Sequence, residues 1–276
     1  MVVKSKIAQI PIYVILLIYA VIVVLPVFWM FNTAFKSPPE LMVNKFGLPS
    51  IWRFENFAKA WEMAQIGRGF LNTIIVVLIV FIFGIGTASA VSFALSRFRF
   101  RMQNATYLLF IAGLMVPMHA VIIPIYDTAI RLNVLNNLFY LGLVYSGFLI
   151  PLCVLILTSF MSQIPIEIDE SALMDGCSSW MIYTRLILPM SREGLISVMI
   201  LTGLETWNDL FLPLVLLNRK EVHTISVGMR AFFAEHEIQP TLLIAGSFLA
   251  MLPVLILYAA LQEKVIKGLT MGAVKG

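Results

Sequence analysis

Charged side chains are scarce in this 276-residue sequence: they make up 12% of it, against roughly 25% in soluble domains. Hydrophobic residues make up 60%, and the mean hydropathy is +0.94. The 19 Lys and Arg residues are dispersed over short segments, and no dense basic block is present that would neutralise a row of nucleic-acid phosphates. The sequence therefore predicts a membrane protein and argues against nucleic acid as a partner.

Cysteine and nucleotide-binding motifs are also sparse or missing. Cys153 lies in an apolar run and Cys177 in a polar segment, so the two form neither a disulfide framework nor a thiolate metal cluster. No Gly-x-x-x-x-Gly-Lys-Ser/Thr phosphate loop occurs, which excludes ATP binding of the P-loop kind. We expect no catalytic residue, no metal and no cofactor in this chain.

Long apolar runs are abundant. A helix needs about 20 mainly apolar residues to cross a bilayer, and six stretches qualify: residues 10–30, 69–96, 102–126, 132–166, 194–217 and 240–262. We place the fourth span at 137–160 because its run is longer than one helix requires. The first run is too long, and too bulky at Trp29 and Met30, for a cleaved signal peptide. The sequence predicts an all-α polytopic membrane protein, a single domain over 1–276 with six transmembrane helices.

The orientation follows from Lys and Arg in short loops, which prefer the cytoplasm. Such residues precede span one, separate spans two and three, and follow span six: Lys4, Lys6, Arg97, Arg99, Arg101, Lys264, Lys267 and Lys275. The longer segment at 31–68 also holds Lys and Arg, but it is interspersed with acids and carries less weight. We therefore predict both termini in the cytoplasm, extracytoplasmic loops at 31–68 and 218–239, and a cytoplasmic loop at 161–193.

The 161–193 loop has the pattern of two short helices. Pro165 suits the start of the first helix, acidic side chains follow in its first turns, and Gly176 suits the left-handed residue that ends it. Ser178 or Ser179 is a capping residue for a second helix over 180–188, which Pro189 is expected to terminate. Local chemistry alone leaves two interpretations open: an amphipathic surface helix, or a helix seated in the cleft of a partner.

The spacing in this loop resembles the EAA motif of binding-protein-dependent ABC importers. That motif has Glu-Ala-Ala, three residues, Gly, nine residues and Ile-x-Leu-Pro, and the matching residues are Glu170, Ser171, Ala172, Asp175, Gly176, Leu186, Leu188 and Pro189. Departures from it are Ser171, Cys177, Leu186 and Glu193. The resemblance implies a MetI-like, type I ABC importer permease fold in which a coupling helix at 166–176 contacts a separate ATPase.

Further segments resemble the carbohydrate branch of this family, specifically the second permease of the maltose/oligosaccharide type. They are Trp207-Asn208-Asp209 with Pro213-Leu214, the C-terminal tail 267–276, and weaker matches at 72–73, 115–117, Pro124 and 132–136. The resemblance implies a bacterial cytoplasmic membrane protein that imports a sugar. It also implies a homologous second permease, two ATPase subunits that bind ATP and Mg, and an extracytoplasmic sugar-binding protein.

Polar and aromatic residues near the predicted fifth span are candidates for the sugar pathway. Amide groups and aromatic faces suit a sugar, and the candidates are Asn72, Trp207, Asn208, Asp209 and Phe211. Ionisable groups at membrane depth are functional candidates by default, and Glu205 and Asp209 lie one helical turn apart. A structural role in hydrogen bonding to neighbouring helices is the alternative for both.

Two other classes of function are alternatives to a permease subunit. A proton-coupled secondary transporter would use Glu205, Asp209 and His119 as its relay, but it leaves the spacing from Glu170 to Pro189 unexplained. An intramembrane enzyme built on His119 has no supporting spacing of a serine or carboxylate. The sequence favours the permease subunit.

Overall fold

A computed structural model describes the backbone of residues 6–234 and 237–273, and the side chains of 11–233, 239–256 and 259. In this part of the chain the α-helices are α1 (Lys6–Ala34), α2 (Pro38–Val43), α3 (Glu55–Met63), α4 (Ile66–Ile79), α5 (Gly86–Arg97), α6 (Gln103–Gly113), α7 (Ile122–Arg131), α8 (Leu138–Met161), α9 (Glu167–Met174), α10 (Ser179–Ile182), α11 (Leu188–Met190), α12 (Arg192–Asn208), α13 (Phe211–Leu216), α14 (Ile225–Gly228) and α15 (Pro240–Ala273). Two π-helical segments, Val80–Ile85 and Tyr183–Ile187, and three 3₁₀ turns, Met118–Val121, Lys220–Val222 and Met229–Phe232, join them.

The chain forms two compact units. One contains Met1–Ile66 and Met229–Pro253, and the other contains Gly67–Gly228 and Val254–Gly276. The first unit includes α1 and a two-residue antiparallel ribbon in which β1 (Phe233–Ala234) pairs with β2 (Glu237–Ile238). The second unit contains the long helices α4 to α8 and the 161–193 loop. The predicted all-α class is confirmed, since this ribbon is the sole β-structure among the described residues.

Three helices are long and apolar enough to cross a membrane: Pro11–Ala34, Ile66–Arg97 and Leu138–Met161. Two bent helix pairs raise the number to five if each pair is one span, and Pro240–Ile256 is a shorter apolar helix. The three helices, the bent pair Gln103–Arg131 and the helix Pro240–Ile256 overlap five of the predicted spans, with α8 beginning one residue after the predicted start at 137. The second bent pair, Ser179–Met190 with Arg192–Asn208, begins inside the predicted loop 161–193, and only its second helix overlaps the predicted fifth span. The six-span topology and the direction of insertion remain predictions.

The third and fifth predicted spans are broken, which the apolar runs did not show. In the third, α6 ends at Gly113 and the helical segment Met118–Arg131 lies at 83° to it. Pro117 in this break has an extended backbone, with φ −71° and ψ 124°. Proline restricts the residue before it and lacks an N–H, so a continuous helix is disfavoured here.

The fifth predicted span, 194–217, ends early. α12 ends at Asn208, Asp209 is extended, and α13 begins at Phe211. Pro213 therefore falls in the first turn of α13, where backbone N–H groups have no intrahelical acceptor and proline is tolerated. Because of the break, Pro213 lies at the start of a helix and not in the interior of the predicted span.

The core of the second unit surrounds α8. The residues Leu141, Tyr145 and Leu149 are buried on one part of it, and Cys153, Val154 and Leu157 on the next. A Cβ added at Gly142 would lie 2.5 Å from Ile79 Cγ2, so the missing side chain permits α4 to approach α8 closely. At the other end of α8, Met161 packs with Phe93 of α5 in one buried cluster.

Candidate functional site

The first helix of the 161–193 loop is α9. Its first turns carry Glu167, Asp169 and Glu170, where negative charge interacts favourably with the positive end of the helix dipole. At the other end Gly176 has φ +83°, and the N–H of Cys177 donates to Ala172 O at 2.9 Å. Glycine adopts this left-handed conformation without steric cost. The predicted glycine-terminated helix is confirmed.

The second helical segment of the loop begins as predicted and ends later. Ser178 Oγ accepts the N–H of Met181 at 3.3 Å, and the segment continues through α10, the π-helix Tyr183–Ile187 and α11. The prediction that Pro189 terminates it is wrong, because the helix runs on to Met190. The π-helix ends at Ile187, and Pro189 lies in the first turn of α11. The regular hydrogen-bond pattern is already interrupted there, so the missing N–H of Pro189 costs little.

Ala172 packs inside its own chain. It belongs to a buried cluster with Phe93, Met161, Ile182, Tyr183 and Ile187, and Leu188 packs at the edge of this cluster. Its small side chain therefore allows α9 to lie close to the end of α8 and to the second loop helix. This is a structural use of a small residue that the sequence pattern associated with a partner.

A buried ion pair joins α9 to the helix Ile66–Arg97. Arg97 Nε lies 3.2 Å from Asp169 Oδ2, and the two side chains are 5% and 10% exposed. Arg97 Nη1 also donates to Ile164 O at 2.9 Å. Burial raises the pKa of the Asp169 carboxyl above its ordinary value, and the Arg97 guanidinium opposes the rise. From the sequence, Arg97 indicates topology and Asp169 suits the helix dipole, and no local pattern connects the two residues.

A second buried contact joins the same helix to the other half of the loop. Ser89 Oγ and Tyr183 Oη lie 2.7 Å apart in a hydrogen bond, and the ring centroids of Phe93 and Tyr183 lie 5.1 Å apart. Both helical segments of the 161–193 loop are thus attached to α5. The loop is therefore attached to α5 by side-chain contacts and continues along the chain into α8 and α12.

The outer surface of the loop carries the remaining motif residues. Glu170, Ser171, Asp175, Gly176 and Pro189 are exposed. Beside them lie three exposed apolar side chains that sequence reasoning did not single out: Leu173, Met174 at 88% and Trp180 at 69% exposure. Adjacent exposed apolar and acidic groups of this kind are typical of a protein-binding surface. The sequence shows that these side chains are apolar. It does not show that they are exposed, because this follows from the fold, in which Ala172 and Asp169 occupy the buried face of α9.

Asp209, a candidate for sugar contact, lies at the break between α12 and α13. Its Oδ1 accepts the N–H of Phe211 at 2.9 Å, and its Oδ2 accepts the N–H of Leu212 at 3.3 Å and the hydroxyl of Tyr145 at 2.5 Å. The carboxylate thereby satisfies the free N–H groups at the start of α13 and links them to α8. The geometry gives Asp209 a structural role at the break.

Asn72, another candidate, is buried and holds the segment after α13. Its Nδ2 donates to Glu221 O at 3.0 Å and to His223 O at 2.9 Å. The neighbouring Thr73 Oγ1 accepts the N–H of Ile225 at 3.0 Å. These bonds fix residues 221–225 against α4, so the amide of Asn72 is occupied by backbone carbonyls.

The other candidates surround the same break. Trp207 is half-buried, with its ring 5.8 Å from that of Phe70 and its carbonyl accepting the hydroxyl of Ser226 at 3.0 Å. Phe211 is half-buried and lies 4.5 Å from the His119 ring. Asn208 is exposed, as is Glu205. Trp207, Asn208, Asp209 and Phe211 thus come together, with Asn72 joined to them through the 221–226 segment.

No group of three or more His, Cys, Asp or Glu residues that could hold a metal ion occurs in the described part of the chain. The side chains of the C-terminal tail, 267–276, and of Lys4 and Lys6 lie outside the described residues.

Comparison with known proteins agrees with this architecture. Residues 84–269 match the family model described as binding-protein-dependent transport system inner membrane component. Among solved structures, a chain of a bacterial ABC transporter involved in the import of the acidic polysaccharide alginate superposes with a TM-score of 0.81 at 20% sequence identity. The match covers 95% of this chain and 99% of that one. At this identity the likeness establishes the shared fold.

Curated relatives match over nearly the whole chain. The diacetylchitobiose uptake system permease protein NgcG of Streptomyces coelicolor is 32% identical over 93% of this chain and 86% of its own length. A putative ABC transporter permease protein of Caldicellulosiruptor is 34% identical over 96% of both chains. The melibiose/raffinose/stachyose import permease protein MelC of Bacillus subtilis is 29% identical over 91% of both. This chain therefore belongs to the family of inner membrane permease components of binding-protein-dependent transport systems.

Proposed function

We propose that this chain is one permease subunit of an ATP-driven importer for an oligosaccharide, with both termini in the cytoplasm of a bacterial cell. Relatives whose names specify diacetylchitobiose and melibiose, raffinose or stachyose support a carbohydrate substrate. The complete importer would comprise a homologous second permease, two ATPase subunits that bind ATP and Mg, and an extracytoplasmic sugar-binding protein. Family membership favours this role over a proton-coupled transporter using Glu205 and Asp209.

The exposed end of α9 is the observation that carries the coupling role. Glu170, Asp175 and Gly176 lie on a surface with the exposed apolar side chains Met174 and Trp180. An ATPase that binds there would obtain apolar area together with carboxylates for its basic groups. When the ATPases close on ATP, α9 would move as a rigid body and bias the permease between inward-open and outward-open states.

The contacts of α9 within the chain explain how such a movement would spread. α9 is fastened to α5 through Arg97 and Asp169, and the second loop helix through Ser89 and Tyr183. The loop also continues directly into α8 and α12. Displacement of α9 would therefore move three helices together instead of bending a flexible connection.

The break between α12 and α13 is the proposed sugar pathway. Non-helical backbone at membrane depth is tolerated where it is buried in protein or lines a water-filled cavity. Exposed Asn208 with the half-buried rings of Trp207 and Phe211 offers an amide and aromatic faces to a sugar. In this proposal Asp209 and Asn72 hold the backbone of the pathway in place through their hydrogen bonds.

The coupling role is tested by ATP hydrolysis in the importer complex reconstituted in proteoliposomes. Gly176→Pro should abolish the stimulation of ATP hydrolysis by sugar-loaded binding protein while the protein remains inserted. Gln163→Ala, an exposed change in the same loop but before α9, should retain it. Undiminished stimulation in Gly176→Pro would reject the coupling role, and uptake that stops with a protonophore but survives ATP depletion would favour the proton-coupled alternative.

A further inference from the structure

The segment after α1 has an unusual distribution of apolar and polar groups. Between residues 38 and 54 most apolar side chains are exposed, with Val43 at 91% and Phe46 at 80% exposure, and Met42, Leu48, Ile51 and Phe54 also exposed. The Glu40 carboxylate and the Asn44 amide form hydrogen bonds within the segment, whereas Lys45 is exposed. This arrangement is the reverse of that in a loop surrounded by water on all sides.

The segment folds back along the last turns of α1. Trp29 Nε1 donates to Lys45 O at 2.9 Å, and Asn32 Nδ2 donates to Gly47 O at 2.7 Å. Trp29 lies five residues before the end of α1 at Ala34, a distance of about 7.5 Å along the helix axis. Residues 45–47 therefore return to the depth of Trp29 and Asn32.

That depth is the edge of the hydrocarbon. Residues 11–31 of α1 are uncharged and almost wholly apolar, and Asn32 is the first strongly polar residue after them. At 1.5 Å per residue this run is about 31 Å long, which matches the roughly 30 Å hydrocarbon thickness of a bilayer. The exposed side chains of Val43 and Phe46 are thus held near the boundary between acyl chains and headgroups.

Several backbone carbonyls of the segment and of the end of α1 have hydrogen-bond donors within the protein. Lys36 is fully buried, and its Nζ donates to Asn44 O at 2.8 Å and Lys45 O at 3.4 Å. Asn56 Nδ2 donates to Ala34 O and Lys36 O, which lie at the carboxyl end of α1. Backbone groups near lipid need internal partners because the hydrocarbon supplies none.

From these observations we propose that residues 38–54 form an interfacial loop that lies in the headgroup region of the bilayer around the end of α1. Val43, Phe46 and Leu48 enter the acyl boundary, and the exposed Lys45 reaches lipid phosphates, as basic residues do at interfaces. No residue in the most apolar window of α1 is buried within the chain, and the exposed apolar side chains of the loop continue this apolar surface. In the proposal the occupant of the surface is therefore lipid.

The experiment uses single-cysteine variants, each of which carries one fluorescent probe. In a Cys153→Ala, Cys177→Ser background, bimane is attached at Val43→Cys and at Phe46→Cys, positions whose side chains are exposed and contribute little to folding. Lys59→Cys, an exposed position in α3, is the matched control. The full chain is reconstituted in proteoliposomes, alone and with the other importer subunits. Quenching is measured with aqueous iodide and with lipids that carry nitroxide near the headgroup.

We expect nitroxide lipids to quench the probes at 43 and 46 at least threefold more strongly than the probe at 59, and iodide to do the opposite. This result should not depend on the other subunits. Iodide quenching at 43 equal to that at 59 would overturn the proposal. Protection from iodide that appears only with the other subunits, without lipid quenching, would also overturn it and would assign the surface to a protein partner.

Discussion

Arg97, the last residue of α5, and Asp169, in the first turns of α9, form an ion pair from which water is almost completely excluded. Removing one member of a buried pair leaves the other charge desolvated and uncompensated, which costs about 3–5 kcal/mol. We expect Arg97→Gln to lower the free energy of unfolding of the purified protein by this amount, measured by thermal melting. Arg131→Gln, which removes an exposed partner of Asp127, should lower the free energy of unfolding by less than about 1 kcal/mol.

A double variant separates the ion pair from the rest of Arg97. Arg97→Gln with Asp169→Asn leaves no unpaired charge, so it should be more stable than Arg97→Gln alone. The pH dependence follows from the raised pKa of Asp169, whose ionised form weakens stability as the pH rises through the folded-state pKa. The cost of Arg97→Gln should therefore shrink at pH values below that pKa. A double variant no more stable than the single one would contradict this account.

The approach of α4 to α8 gives a second prediction. A Cβ at Gly142 would collide with Ile79, whose branched side chain has little freedom to move. We expect Gly142→Ala to reduce thermal stability by about 1–3 kcal/mol. Gly147→Ala in the same helix meets nothing within 4 Å and should be neutral or slightly stabilising through helix propensity. Equal effects of the two changes would show that the helices are not closely packed at Gly142.

The left-handed residue of the 161–193 loop gives a third prediction. A Cβ at Gly176 has open space around it, so the cost of Gly176→Ala arises from the backbone alone and should be about 1–2 kcal/mol. Gly176→Asn should cost less because asparagine tolerates this conformation better. Thermal melting of both variants measures the difference, and an alanine variant as stable as the asparagine variant would argue against a positive φ at this position.

The hydrogen bond between Tyr145 and Asp209 gives a fourth prediction. Tyr145→Phe removes a donor to a carboxylate that also holds the start of α13, and bonds to charged groups contribute about 1.5–3 kcal/mol. Tyr140→Phe removes a bond to the neutral carbonyl of Ile125 and should cost only about 1 kcal/mol. Thermal melting compares the two variants. Sugar uptake should fall more in Tyr145→Phe, since the break between α12 and α13 loses a fixed point.

The sequence predicted those features that local patterns determine. The apolar run placed the span at 137–160, and the observed α8 is Leu138–Met161. The spacing of proline, acids and Gly176 placed α9 and its end. Helix periodicity and turn chemistry act over a few residues, so they are visible without the fold.

Features that depend on distant residues were not predictable in the same way. Asn72 was a candidate sugar contact because an amide can hydrogen-bond to a sugar, but the acceptors of its Nδ2 lie 149 and 151 residues further along the chain. The breaks at Pro117 and Asp209 fall inside apolar runs, and an apolar run indicates hydrophobicity without showing that the helix is continuous. For Asp209 the decisive donor is Tyr145 on α8, 64 residues earlier.

The pairing of Arg97 with Asp169 also has a consequence for biosynthesis. Asp169 leaves the ribosome 72 residues after Arg97, so during insertion of the intervening helices Arg97 is an unpaired cation. In the predicted topology it would help during that period to retain the turn that follows α5 on the cytoplasmic side. Once α9 is made, the Asp169 carboxylate pairs with Arg97 in a site that is almost free of water. The same guanidinium would thus act first as a topological signal and later as a contact between two helices of the finished protein.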